Sequence, residues 1–328
     1  MPRSTHVIWL ILPALILVSA SAITQEPQVV FHSSSNLVLV DVVALKNGLP
    51  ERTLTREDFQ LLDNGSPVSI KTFDTGTQST TRPLALWLVV QCKMPGLEAK
   101  GSGLFAGEIH RLVPALKQLN KDDTVGVAHW CDNGDSELDQ QPSGNVDDAA
   151  AKLEQVLAAT PNPKDHNRPG ELALQKTLQR IVDATRATKP EPLPVVVFLY
   201  GDWSGMPKSE ADHFIDELLE TSAVAFGLSD HRSPNIWWLP GEQRQVAHYI
   251  AASTGGEYLH VTPETYGAGL SQILQQLHFR YELGFQPQAL DGKRHKLTVR
   301  LSDAVKGQHR NVRLRYRAAY VPVRPEAK

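Results

Sequence analysis

Hydrophobic and polar positions along the chain follow three successive rhythms. From Val29 to Asp74 the pattern is β: Leu37-Val38-Leu39-Val40-Asp41-Val42-Val43 is rich in β-branched residues, while Phe59-Gln60-Leu61-Leu62 and Val68-Ser69-Ile70 alternate. Asn47-Gly48 and Asn64-Gly65 accept positive φ at low cost, so each predicts a tight hairpin turn. Thr53 to Asp58 predicts one helical turn capped by Thr55. Thr75 to Arg82 is polar, ends before Pro83 and reads as a linker.

From Leu84 onward strands and helices alternate. Apolar runs predict strands at Leu84–Val90, Thr124–Trp130, Val195–Tyr200, Ala223–Leu228 and Glu257–Val261. Ile109, Leu112, Val113, Leu116 and Leu119 fall on one helical face, as do Leu174, Leu178, Ile181 and Val182, and then Leu270, Ile273, Leu274 and Leu277. Near-continuous apolar strands joined by helices predict a parallel sheet covered on both faces. From Phe279 period-two patterning returns in Tyr281–Phe285, Lys296–Leu301 and Asn311–Tyr316, with Asp291-Gly292 as a turn. A strand pair at either end of the chain is too little to stand alone. The expected fold is therefore an α/β domain over residues 83–278, inserted in a β-sandwich formed by residues 29–80 and 279–323, with a tail at 324–328. The alternative is two unrelated β appendages.

The first 22 residues read as a signal peptide outside this fold. Arg3 gives a positive start, Val7 to Val18 is an apolar run of about a dozen residues, too short to span a bilayer, and Ala20-Ser21-Ala22 supplies a cleavage pattern. The competing reading is an uncleaved anchor helix. A cleaved signal implies export, periplasmic or secreted, where disulfides persist. The 328 residues carry 33 Lys+Arg against 36 Asp+Glu with no basic run, which argues against nucleic acid or an anionic membrane as partner. The 2 cysteines make neither a disulfide-dense scaffold nor a four-cysteine zinc site.

Several segments resemble the VWFA-related Acidobacterial domain family. The opening residues Asn36 to Val43, Leu54-Thr55-Arg56-Glu57-Asp58-Phe59 and Asp63-Asn64-Gly65 carry the likeness. So do Thr254-Gly255-Gly256-Glu257, Tyr281-Glu282-Leu283-Gly284-Phe285, Asp291-Gly292-Lys293 and Val312 to Tyr320. The resemblance implies a von Willebrand factor type A fold, a Rossmann-like sheet whose strands end at one binding edge. It implies no settled activity.

Type A domains commonly hold a divalent cation at that edge, through an Asp-x-Ser-x-Ser loop after the first strand, a Thr in a second loop and an Asp after a later central strand. Mg²⁺ needs such hard oxygen ligands in near-octahedral geometry. This chain departs at each place. Gln91-Cys92-Lys93-Met94-Pro95 offers neither carboxylate nor hydroxyl, Glu171 stands about where the Thr belongs, and Tyr200-Gly201-Asp202 has its Asp displaced. The ammonium of Lys93 opposes a cation and could pair with Asp202 or Glu171; the plainer reading is a solvated loop lysine. The expectation is a degenerate metal-ion-dependent adhesion site without metal or other cofactor. Mg or Ca held by Glu171, Asp202 and Ser204 in another geometry is the alternative.

Cys92 and Cys131 follow what should be neighbouring parallel strands, at a separation compatible with a disulfide. Two buried thiols packing as small apolar groups are the alternative. Trp130, Trp203, Trp237 and Trp238 fall at or just beyond strand carboxyl ends, where aromatic residues either anchor a partner or roof the cleft. The segment from Ser229 to Pro240 is the expected contact loop. His129 reads as a core or strand-face residue, and Asp132, Asp135 and Glu137 as a solvated acidic loop. The sequence holds no P-loop, G-x-S-x-G elbow, H-E-x-x-H or dinucleotide G-x-G-x-x-G motif. These observations predict an exported, non-catalytic module for protein–protein or cell-surface interaction. No residue pattern sets its oligomeric state. A metal-dependent adhesion domain and an enzyme of unrecognised type are the two alternatives.

Overall fold

The computed structural model describes residues 37–76, 82–92, 106–131, 135–158, 170–186, 192–199, 208–229, 246–262, 264–307 and 309–322. Two turn dipeptides organise the first strands. β1 (Val38–Lys46) and β2 (Leu49–Pro50) meet across Asn47-Gly48, with φ of 53° and 84°. β3 (Phe59–Asp63) and β4 (Ser66–Val68) meet across Asn64-Gly65, with φ of 47° and 85°. Both turns take the left-handed conformation that these dipeptides tolerate. A 3₁₀ turn at Arg56–Asp58 precedes β3. The Asp58 carboxylate accepts from the Thr55 backbone N–H at 2.7 Å and from its hydroxyl at 3.1 Å. β5 (Ile70–Asp74) completes this segment.

The middle of the chain builds a six-stranded sheet. Its elements are β6 (Leu84–Cys92), α1 (Val113–Leu116), β7 (Thr124–Cys131), β8 (Ser136–Ser143), α2 (Val146–Ala158) and α3 (Gly170–Arg186). β9 (Leu193–Leu199), α4 (Lys208–Glu220), β10 (Val224–Ser229), α5 (Val246–Thr254), β11 (Tyr258–His260) and α6 (Tyr266–His278) follow. The strand order is β11-β10-β9-β6-β7-β8, parallel except for the antiparallel edge strand β8. Alternate residues of β6 serve two cores. Leu84, Leu86, Leu88 and Val90 join one helix-covered cluster, while Trp87 and Val89 join the other. Burial on both faces is why these strands read as unbroken apolar runs.

Two elements differ from expectation. The helical face spanning Ile109 to Leu119 is split into a 3₁₀ segment, Ala106–Arg111, and the four-residue α1, which takes Pro114 in its first turn. Ile109, Leu112 and Leu116 are still buried, so the periodicity located the packed face although the helix is interrupted. The acidic loop expected around Glu137 is instead β8, which pairs with β7 through irregular register.

Strands β12 (Tyr281–Phe285), β13 (His295–Leu301), β14 (Val312–Arg315) and β15 (Ala319–Tyr320) close the chain. They join the opening strands in two further sheets. One has the order β14-β1-β12-β5 with β2 on β1, and the other β15-β13-β3-β4. Val40, Val42, Leu61, Tyr281, Leu283, Leu297 and Val299 from both sheets share one core.

A buried polar joint ties these sheets to the helix-covered sheet. Asp41 on β1 accepts from Arg82 at 2.8 Å and from Arg280 at 2.6 Å, and Glu282 accepts from Arg82 at 2.6 Å. Arg280 also donates to the carbonyls of Leu277 and Arg82, at 2.7 and 2.8 Å. Arg317 reaches Ser222 at 2.7 Å and the Leu39 carbonyl at 2.6 Å. Burial pulls its guanidinium down to about 10, with the Asp41 carboxylate opposing that fall, so it stays charged at neutral pH. Arg315 pairs with Glu257 and Gln276.

Candidate functional site

Because β6, β7, β9 and β10 are parallel, their carboxyl ends share one edge. The chain moves from β6 outward to β7 and β8, then crosses back to β9, β10 and β11 on the other side. The strand order therefore reverses between β6 and β9, and open α/β sheets bind ligands in the crevice outside that reversal.

The expected site residues are distributed around this edge as follows. Gln91 lies at the end of β6 and is buried, and Cys92 follows it as the last residue of the strand. Glu171 falls in the first turn of α3. Lys93, Gly201, Asp202, Trp203, Ser204, Trp237 and Trp238 lie outside the described residues. Trp130 is 4% exposed and belongs to the core cluster that includes Trp87, Ala173 and Phe198. It is a packed core side chain, which corrects its expected place as an anchor on the open edge. Its position in β7 turns the indole toward α3, with Ala128 two residues earlier in the same cluster.

A denser polar group occupies the end of the β7–β8 hairpin. His129 and Cys131 are two residues apart on β7 and so project from one face. The Cys131 N–H donates to the Asp135 carbonyl at 2.8 Å, which joins the end of β7 to the residue before β8. β8 then carries Asp139 back alongside His129, whose Nδ1 lies 2.9 and 2.8 Å from the two carboxylate oxygens. The other ring nitrogen, Nε2, faces the Asp135 carboxylate at 3.8 Å. One ligand atom each from His129, Cys131 and Asp135 lies within 4.8 Å of the others.

Burial alone would lower the His129 pKa, but the Asp139 hydrogen bond and charge, with Asp135 and Glu137 adding, hold it above the ordinary histidine value. Thr177 of α3 donates to the His129 carbonyl at 3.0 Å, and Arg180 to the Ser136 carbonyl at 2.6 Å. These bonds fix the hairpin end against α3. Cys131 is not a free thiol, and the other cysteine, Cys92, is its Cα partner across β6 and β7.

Sequence reasoning missed this grouping because it placed His129 on a strand and Asp135 in a loop without pairing them. The usable signal was the His-x-Cys alternation at a strand end, followed closely by acidic residues at 135, 137 and 139.

Away from this edge, a cleft of about 460 Å³ has Lys296, Arg313, Arg315, His248 and Glu257 among its lining. The Arg315 guanidinium is engaged within the fold by Glu257 and Gln276, and it lies over the Phe226 ring at 5.6 Å. This charge holds sheets together.

No protein-family model matches the chain, and no curated protein matches it. Solved structures similar to it include a von Willebrand factor type A protein from Catenulispora acidiphila, with TM-score 0.41 and 10% identity, covering 89% of this chain and 75% of that one. The conserved hypothetical protein BatB from Bacteroides thetaiotaomicron gives TM-score 0.40 and 11% identity, covering 59% of this chain and 98% of that one. An aerotolerance-related membrane protein from Bacteroides fragilis gives TM-score 0.39 and 12% identity, again covering 59% and 98%.

Proposed function

We propose that this chain is an exported, non-catalytic interaction module that engages a protein or cell-surface partner at the carboxyl-end edge of its six-stranded sheet. The α/β unit is read as an insertion in a β-sandwich built by the two ends of the chain. Support for that reading comes from β1 pairing with β12 and β14, from β3 pairing with β13, and from the core the two sheets share. Among the described residues no helix is long and apolar enough to cross a membrane.

The observation that carries the proposal is the reversal of strand order between β6 and β9, the place where open α/β sheets bind their ligands. The sequence at the end of β6, Gln91-Cys92-Lys93-Met94-Pro95, supplies no carboxylate or hydroxyl ligand. The module therefore works without Mg²⁺ or Ca²⁺ there. A Cys92–Cys131 disulfide would tie the ends of β6 and β7 together; their Cα pairing supports it.

Isothermal titration of the mature chain with Mg²⁺, Mn²⁺ and Ca²⁺ tests the cation reading. No binding tighter than millimolar is expected, and tighter binding would favour a metal-dependent adhesion site using Glu171, Asp202 and Ser204. Photo-crosslinkers at Lys93 and Trp238 test the edge, with Leu49 on β2, 66% exposed, as control. Capture of a partner at Leu49 but not at the edge positions would refute the assignment.

A further inference from the structure

We infer that the end of the β7–β8 hairpin is a redox-gated site for a divalent transition metal of the Zn²⁺ class, held by His129 Nε2, Cys131 Sγ and the Asp135 carboxylate. The three ligand atoms already lie within 4.8 Å of one another. Around a tetrahedral Zn²⁺, with bonds of about 2.0–2.3 Å, ligand atoms stand about 3–4 Å apart. His129 Nε2 and the Asp135 carboxylate already stand 3.8 Å apart, and the Asp135 side chain, 65% exposed, has room to adjust around the metal.

The independent observation is Asp139. Its carboxylate accepts from the His129 Nδ1–H at 2.8 Å, which leaves Nε2, 3.8 Å from the Asp135 carboxylate, as the nitrogen a metal would take in exchange for any proton there. A carboxylate behind the far nitrogen is how metal-ligating imidazoles are oriented and made more basic. One thiolate, one imidazole and one carboxylate suit Zn²⁺ or Co²⁺ far better than Mg²⁺ or Ca²⁺. Three protein ligands leave a fourth position for water. None of the three proposed ligands belongs to Gln91-Cys92-Lys93, which offers no hard oxygen, so failure of this inference leaves the cation reading of that segment unchanged.

The gate follows from the sulfur. Cys131 is not a free thiol, and Cys92 is its register partner. In the disulfide the sulfur cannot act as a thiolate. A dithiol reductant delivers two electrons and two protons to the Cys92–Cys131 bond, giving two thiols while it leaves as its own disulfide. The incoming cation then displaces the Cys131 thiol proton to solvent.

The test uses the full mature chain and Co²⁺ alone, before and after reduction by a dithiol that is then removed. A thiolate-to-cobalt charge-transfer band is expected only after reduction, and equimolar Zn²⁺ should abolish it. Asp135→Asn, at an exposed position, should weaken Co²⁺ binding by about tenfold or more, and Asp139→Asn by about 10- to 100-fold, with unchanged circular dichroism. Cys131→Ser should remove the band. The site is refuted if no band appears after reduction, if the band survives Cys131→Ser, or if Asp135→Asn binds like the parent. A band without reduction would refute the gate.

Discussion

Arg280 donates its Nε hydrogen to Asp41 Oδ1 at 2.6 Å, across 239 residues of sequence. Arg82 donates to the other oxygen of the same carboxylate at 2.8 Å. Arg82 stands just before β6, where the chain leaves the terminal strands, and Arg280 just before β12, where it returns. One aspartate thus fastens both crossings. The orientation of the sheet edge relative to the rest of the chain depends on this clamp.

Removing the aspartate tests its weight. Arg280 is 1% exposed, so Asp41→Asn leaves a buried guanidinium short of its counter-charge. Breaking a buried pair from one side costs about 3–5 kcal/mol, and a loss of that size is expected in urea-induced unfolding. A loss below about 1 kcal/mol would mean that apolar packing alone holds the joint.

Gly255 makes the second approach at this joint. Its φ is +89°, and an added Cβ would sit 2.6 Å from the Arg317 nitrogen and 2.7 Å from the Tyr316 carbonyl carbon. Gly292 has a φ of +70° but open space around it. Gly292→Ala should therefore cost only the left-handed strain of about 1–2 kcal/mol. Gly255→Ala carries that strain and about 1–3 kcal/mol of overpacking besides. Thermal melts of the two variants separate the effects, and equal losses would contradict the close approach.

Acid stability follows from Asp123. Burial would raise its pKa, but the His278 hydrogen bond at 2.8 Å and the backbone donors of Leu84 and Asn120, each at 2.7 Å, take it below the ordinary value. Asp41 is depressed likewise, its arginines outweighing burial. A folded carboxylate with a lowered pKa contributes stability that is complete above the unfolded value and is lost as pH falls through the folded one. Wild-type stability should therefore drop below about pH 4, and the gap between wild type and Asp123→Asn should narrow over the same range. A gap that stays constant from neutral pH down to about pH 3 would contradict the assignment.

The strands of the helix-covered sheet were legible because double-sided burial demands unbroken apolar runs such as Val195-Val196-Val197. Both Asn-Gly hairpins were legible because their turns need residues that tolerate positive φ. β8 was not. Ser-Glu-Leu-Asp-Gln-Gln-Pro-Ser has no β-branched residue, and the strand exists through its pairing with β7 at the sheet edge. The site suffered the same loss. Irregular register between Val125 and Ala128 decides which acidic residue meets His129, and no local spacing encodes it. Several residues that carried the family resemblance, among them Asp41, Gly255, Glu257 and Glu282, turn out to build the joint. Their pattern reported architecture, while the strand order that fixes the proposed binding edge became visible only in the sheet topology.

Tyr281 links the same joint to alkaline stability. Its hydroxyl donates to the Glu51 carbonyl at 2.9 Å and accepts from the Leu54 N–H at 3.1 Å, inside the core shared by the two terminal sheets. Burial pushes its pKa up to about 12, against a partial opposing pull from the Leu54 N–H. The unfolded chain gives up this proton near pH 10 while the folded one still holds it, so stability falls as pH rises from about 10 to 12. Tyr281→Phe removes both hydrogen bonds and leaves a buried N–H and carbonyl without that partner, at a cost of about 1–3 kcal/mol near neutral pH. The variant should also lose less stability than wild type between about pH 10 and pH 12, because one of the protons that drives the loss is gone. Urea unfolding at neutral and alkaline pH measures both quantities. An alkaline slope unchanged by the substitution would place the titrating group elsewhere, with Tyr320, whose pKa is also raised chiefly by burial, as the next to vary.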